Sequence, residues 1–370
     1  MKLFVAVHLS VSFLCLWNVE SKEVSNKKLL LKESLKELLN ADNVSTDARS
    51  TLKLAEGLIH QVEDHEHDDL LEFFGFISKF NRRYADSKEV ESRFRIIQES
   101  LRTISKLRKA SPSAEFGLTA RSDLSKAEHS TCARFSKMNS KEFSHALPNF
   151  AVGEAPSTFD WRDHNGVTSV KDQDQCGSCF AFAATAAIES QWLVHRNKSL
   201  DLSEEQILQC TYNVSGYDAM GCDGGDPAGV LRYVRDHGVT DEAHSPYNIS
   251  AEMGHCNRKV PIVANISHIV TLSNYDEDQL RDIIYNVGPV VVGADATFLI
   301  NYHRGVISLQ SDEWNVDHAV VIVGYGEEGS FKYWVLKNSW AETWGEKGYF
   351  RVERGLNVLG VAKTLMIAFI

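Results

Sequence analysis

Cys176-Gly177-Ser178-Cys179 stands beside Gln173 and directly before the run Phe180, Ala181, Phe182, Ala183, Ala184, Ala186 and Ala187. A thiol of ordinary pKa is only slightly ionised at neutral pH, so a nucleophilic cysteine needs a device that favours thiolate. A helix N-terminus and an imidazolium are two such devices. The alanines after Cys179 favour a helix that can lie buried against its neighbours, and Gly177 and Ser178 suit its start. His318 lies 139 residues beyond Cys179, in Val316-Asp317-His318-Ala319-Val320. Asn338 follows 20 later, in Lys337-Asn338-Ser339-Trp340. Each piece alone has a plainer reading: a redox pair or metal half-site for the cysteines, a satisfied core residue for the histidine. Reading Cys176, Cys179, Cys210 and Cys222 as a zinc site is discounted, because the second pair is 12 apart and forms no short knuckle. Together and in this order, the segments point to a cysteine nucleophile.

The arrangement resembles the papain-like cysteine proteases of the cathepsin L-like kind, whose signature is Cys-Gly-Ser/Ala-Cys-Trp/Tyr with a distant His and Asn. Phe180 and Ala341 are departures from that pattern. The resemblance implies an α+β, two-lobed fold, with a helical lobe and a β-barrel lobe, preceded by a mainly helical inhibitory prodomain. It implies a catalytic set of Gln173, Cys179, His318 and Asn338. His318 would be the imidazolium that later protonates the leaving amine. Asn338 would orient its ring. Gln173 would join the Cys179 backbone N–H at the oxyanion, where one donor is worth roughly 3 kcal/mol. The implied disulfides are Cys176–Cys222 and Cys210–Cys256, leaving Cys179 free. Leu359 stands where relatives often carry a cysteine, so the C-terminal end should rely on packing.

The same resemblance marks a substrate wall at Gly224, Gly225, Asp226 and Pro227, where glycine lets an extended peptide approach closely. Asp226, Pro227, Gly293, Val316 and Thr364 would border the main specificity pocket, with Asp317 and Trp340 nearby. A carboxylate at Asp226 would favour a basic or polar substrate side chain; exposure at the rim is the competing expectation. No insertion like the family's exopeptidase loop interrupts Cys210 to Cys256, which favours an endopeptidase. A catalytically inactive, protein-binding relative is the alternative function. Disulfide exchange by Cys176 and Cys179, and a prosegment acting as a free inhibitor, are further readings.

The chain has 370 residues, 43% of them apolar and 24% charged, enough for one large domain and a smaller part. From Pro156 onward 16 Lys/Arg face 28 Asp/Glu, against 23 and 22 before it. An acidic catalytic region offers nothing to nucleic acid and suits an acidic lumen. Met1-Lys2 and the apolar stretch Leu3 to Trp17 read as a signal peptide over 1–20, too short to span a membrane. No later stretch is long and apolar enough to cross a bilayer. Sequons at Asn43, Asn197, Asn213, Asn248 and Asn265 agree with a secretory route, lysosomal or extracellular. Seven cysteines occur. Cys15 would leave with the signal, and Cys132 reads as an inert thiol or as a redox latch on Cys179. No metal or cofactor is expected. Protein or peptide substrates, the chain's own propeptide and cystatin-like inhibitors are the expected partners of a monomer.

Residues 21–66 read as a helical extension, with stripes Leu31, Leu35, Leu38, Leu39 and Leu52, Ala55, Leu58, Ile59, Val62. Glu63 to Asp69 is acidic and histidine-rich, the pattern of a solvated linker. Residues 67–155 read as the inhibitory propeptide. Leu70, Phe73, Phe74, Ile77, Phe80 and Tyr84 share one helix face, and Val90, Phe94, Ile97, Leu101 and Ile104 another. The second helix resembles the cathepsin L-like propeptide motif through Glu89, Arg93 and Ile104. Ile97, Ser100 and Arg108 stand at its other positions. Gly117, Thr119, Arg121 and Asp123 occupy a second family motif. Acid would protonate carboxylates such as Asp123, loosen the prosegment and permit cleavage within His145 to Thr158. The protease domain is expected over 156–370, with Phe159-Asp160-Trp161-Arg162 resembling a mature start.

Overall fold

The computed structural model describes residues 27–125, 128 and 155–370. The expected leader, Cys132 and all of the cleavage region before residue 155 lie outside the described residues. The chain divides into two compact units: residues 1–103 with 120–124, and residues 104–119 with 125–370.

In the first unit a helix over 27–40 (α1) leads to α2, Thr46–Ala55, whose N-terminus is capped by Ser45 accepting from Ala48 N. Arg49 holds the join: its guanidinium donates to the carbonyls of Leu39, Ala41 and Val44, satisfying acceptors at the α1 end and in the loop that α1's own ladder cannot reach. The stretch Glu63 to Asp69 departs from the solvated linker expected of it. Glu63 and Glu66 form a reciprocal capping box, and both Glu66 and His67 are buried. The Glu66 carboxylate accepts from Gln98 Nε2 at 3.0 Å and pairs with Arg95, so its charge is matched where it is buried. His67 then opens α3, His67–Lys79, and α4 follows over Ser87–Ala110. Phe73 packs on Phe94 and Tyr84 with ring centroids 5.5 and 6.2 Å apart. Asp123 receives Arg82 Nη2 at 2.6 Å and Tyr84 OH at 2.7 Å, while Arg93 donates to its carbonyl. Both propeptide motifs therefore meet at Asp123.

The second unit begins with β1, Ala114–Phe116, then β2, Phe159–Asp160, and α5, Cys179–Arg196. Two further helices, α6 (Glu204–Thr211) and α7 (Pro227–His237), pack with α5 around Phe180, Ile188, Ile207, Leu208, Leu231 and Tyr233. Next come β3 (His268–Ser273), α8 (Glu277–Val287), β4 (Val290–Ala294) and β5 (Tyr302–Ile307). The chain closes with β6 (His318–Glu328), β7 (Phe331–Lys337), β8 (Tyr349–Glu353) and β9 (Thr364–Phe369). The strands join in the order β1-β5-β8-β7-β6-β4-β9-β3, with β2 on β6. Every pairing is antiparallel except β5 with β8. A second core of Val292, Ile322, Trp334, Leu336, Phe350 and Leu365 fills the sheet. Leu359, the position without a cysteine, is fully buried in it, so packing does hold that end.

Candidate active site

Register decides where the site lies. Ala294 at the C-terminal end of β4 pairs with His318 at the N-terminal start of β6, and Val292 pairs with Leu365 near the start of β9. Gly293, Asp317, His318 and Thr364 thus gather at one end of the sheet. Cys179 is the first residue of α5, which has no acidic residue in its first turn, so the helix dipole acts on the sulfur without a carboxylate opposing it. Ala319 N–H donates to Cys179 Sγ at 3.3 Å, which joins the α5 start to the β6 start.

His318 is buried, and its Nε2 lies 2.8 Å from Asn338 Oδ1. The same Oδ1 accepts the Ser339 N–H at 2.8 Å. That second donor identifies the facing atom as oxygen, so His318 Nε2 carries the proton and donates. Trp340 lies against the imidazole, with ring centroids 4.9 Å apart. Gln173 is also buried: its Nε2 donates to Cys176 O at 2.8 Å and its Oε1 accepts from Ser339 Oγ at 2.7 Å. Because Cys176 O can only accept, the amide orientation is settled. Tyr247 OH adds a brace the sequence reading missed, donating to Gln173 O at 3.0 Å and lying 2.8 Å from Ser178 Oγ. No local pattern around Tyr247 announces it.

The disulfides Cys176–Cys222 and Cys210–Cys256 form as the resemblance implied, which removes the zinc reading. Cys179 differs from expectation: it too is disulfide-bonded.

Gly225 has a reason to lack a side chain, since a Cβ there would meet three Phe180 ring atoms at 2.7, 2.8 and 2.9 Å. Asp226 is not exposed at a rim. It is fully buried as the N-cap of α7, accepting from Ala228 N at 2.9 Å ahead of Pro227. Asp317 accepts from Ala296 N, and burial pushes its carboxyl pKa up. Val316 is half-buried, and Gly293 is buried within β4. Ala341 sits at φ +63°, the left-handed region where glycine is at ease and other residues are strained. All five sequon asparagines are exposed. Among the described residues no group of three or more His, Cys, Asp or Glu could hold a metal, and no helix is long and apolar enough to cross a membrane.

Residues 155–369 match the papain family cysteine protease domain, and residues 73–129 match the cathepsin propeptide inhibitor domain. The viral cathepsin of Heliothis zea nuclear polyhedrosis virus is 36% identical over 312 residues, covering 78% of this chain and 82% of that protein. The viral cathepsin of Orgyia pseudotsugata multicapsid polyhedrosis virus is 35% identical, covering 80% of this chain and 90% of that one. Among solved structures, digestive procathepsin L2 from the larval midgut of Tenebrio molitor superposes with TM-score 0.73 at 31% identity, covering 82% of this chain and all of that one. A recombinant stem bromelain precursor superposes at 0.68 with 29% identity, covering 82% of this chain and 99% of that one. The chain therefore belongs to the papain family as a cysteine-type endopeptidase of cathepsin type, carrying its own propeptide inhibitor domain.

Proposed function

We propose that the endopeptidase acts through a Cys179 thiolate and a His318 imidazolium, with Asn338 orienting the ring and Gln173 completing the oxyanion site. The thiolate attacks the scissile carbonyl carbon, and the oxyanion takes hydrogen bonds from the Cys179 backbone N–H and Gln173 Nε2. His318 hands its proton to the leaving amine, and water then hydrolyses the thioester. The observation that supports this reading is the pair of contacts His318 Nε2 to Asn338 Oδ1 at 2.8 Å and Ala319 N to Cys179 Sγ at 3.3 Å.

Cys179 is oxidised in the structure, so the nucleophile must first be released. A low-molecular-weight thiol attacks the partner sulfur, Cys179 departs as thiolate, and a second thiol resolves the mixed disulfide. The chain is made as a zymogen for the secretory route, glycosylated at its exposed sequons and active in a lysosome or outside the cell. Extended peptide binds along Gly224 and Gly225. The pocket bordered by Pro227, Gly293, Val316 and Thr364 takes the second side chain before the scissile bond; Asp226, fully buried as the α7 cap, offers it no carboxylate, so the pocket prefers Leu to Arg.

The test is active-site labelling of reduced, acid-treated protein with an epoxide inhibitor, alongside Cys179→Ser. Labelling that vanishes in the variant is expected. A folded, reduced, processed domain that takes no label refutes the catalytic reading and favours an inactive binding protein. Turnover of Arg and Leu substrates reads the pocket; a strong Arg preference refutes the reading of Asp226 as a cap withheld from substrate.

A further inference from the structure

Asn338 lines a cavity of about 20 Å³ whose other polar lining residues are Lys171, Glu189, Glu204, Lys337 and Ser339. One water needs roughly 10–15 Å³ by this measure and two to four polar partners. Asn338 Nδ2 is buried and has no hydrogen-bond partner among the described residues. Lys337 is 5% exposed, and the one hydrogen bond shown for its ammonium goes to Thr168 Oγ1 at 3.1 Å. Thr168 in turn donates to Glu189 Oε2. Lys171 Nζ spans Glu189 at 3.1 Å, Glu204 at 3.0 Å and Asp201 at 2.8 Å, and Thr185 donates to Glu204.

The charges here strain against burial. Desolvation pushes Lys337 down to about 8 and Glu204 up to about 7, although Lys171 pulls Glu204 the other way. Ions excluded from bulk water stay ionised only when their remaining hydrogen-bonding capacity is met. The cavity presents such unmet capacity on two donors, the amide of Asn338 and the ammonium of Lys337.

We propose that the cavity binds one ordered water, which accepts from Asn338 Nδ2 and Lys337 Nζ and donates to a carboxylate of Glu189 or Glu204. Lys337 is then a positioning residue for the reaction. Through this water it holds the Asn338 amide with its oxygen toward His318. The inference rests on the role proposed above for Asn338. The charged groups around Lys337 are Lys171 and Asp201 on the loops before α5 and α6, Glu189 on α5, and Glu204 on α6.

The experiment uses the mature, reduced enzyme. A crystal structure of the wild type at about 1.5 Å or better is expected to show a water in the cavity within hydrogen-bond distance of Asn338 Nδ2. Lys337→Met is expected to lower kcat about tenfold with KM unchanged, the effect of one lost orienting hydrogen bond. It leaves Glu189, Glu204 and Asp201 facing Lys171 alone, so both limbs of the pH profile of kcat/KM should move to higher pH. Lys337→Met with Glu204→Gln removes one charge of each sign, restores the original charge balance and should return the limbs. A merely structural lysine would not move the limbs, nor would its loss be corrected by a second uncharging. Should Lys337→Met fail to fold, Ala186→Val fills the same cavity without touching a charge and should expel the water and lower kcat. A dry cavity overturns the proposal, as does an unchanged kcat and pH profile once the water or Lys337 is gone. Epoxide labelling of wild-type Cys179 reads the catalytic assignment separately, so the two can fail independently.

Discussion

Gly225→Ala is a one-carbon change whose cost can be worked from the contacts around it. The new Cβ would sit 2.7 to 2.9 Å from three ring atoms of Phe180, where carbon atoms prefer about 3.5–4.0 Å. The ring edge must therefore retreat by about 0.8 Å or more. Phe180 is fully buried and adjoins Cys179 in the first turn of α5, so retreat means moving that turn. Overpacking of this kind costs about 1–3 kcal/mol. For a domain of this size that is a fall in Tm of roughly 2–12 °C. The activity effect should exceed the stability effect, because the displaced turn carries Cys179, the proposed nucleophile. The assay is thermal unfolding and kcat/KM of the mature, reduced domain, measured in a double-mutant cycle with Phe180→Leu. Leucine removes the clashing ring edge, so Gly225→Ala should cost at least about 1 kcal/mol less in that background. Equal losses in both backgrounds, or a neutral Gly225→Ala, would refute the claim that Phe180 is what requires glycine.

Ala341→Gly should stabilise the protease domain by about 1 kcal/mol, because φ +63° strains alanine and suits glycine; a lower Tm would count against that strain. Glu66 takes the Glu63 backbone N–H and hydrogen bonds from Gln98 and Arg95, which hold its pKa at about 2. A depressed carboxyl contributes stability that is complete above the unfolded value near 4.5 and is lost as pH falls toward 2. Glu66→Gln should accordingly destabilise the N-terminal unit equally at pH 5 and pH 7 by hydrogen exchange. An effect confined to pH 7 would make Glu66 an acid switch and contradict its pKa. Finally, alkylation of the intact zymogen should spare Cys179 without reductant and modify it afterwards, as peptide mass spectrometry reads directly. Full modification without reductant would refute the disulfide at Cys179.

The sequence by itself determined the family and the class of enzyme. A nucleophilic cysteine needs small residues and a helix start beside it, and Cys176 to Ala187 states that need locally. Likewise His318, Asn338 and Trp340 lie in short segments whose composition is distinctive wherever they fold, and the apolar stripes of α3 and α4 follow from helical period alone. What the sequence could not determine depends on residues far apart in the chain. Lys171, Glu189, Glu204 and Lys337 share one cavity lining though up to 166 positions separate them. Tyr247 reaches Gln173 across 74. Asp226 reads as a pocket carboxylate until α7 begins at the next residue and turns it into a cap. Glu63 to Asp69 reads as solvated until Gln98 and Arg95 supply partners from another helix. Cys179 reads as a free thiol until its sulfur is found bonded. In each case periodicity and motif report neighbours along the chain, whereas burial, partner and charge state are properties of neighbours in space.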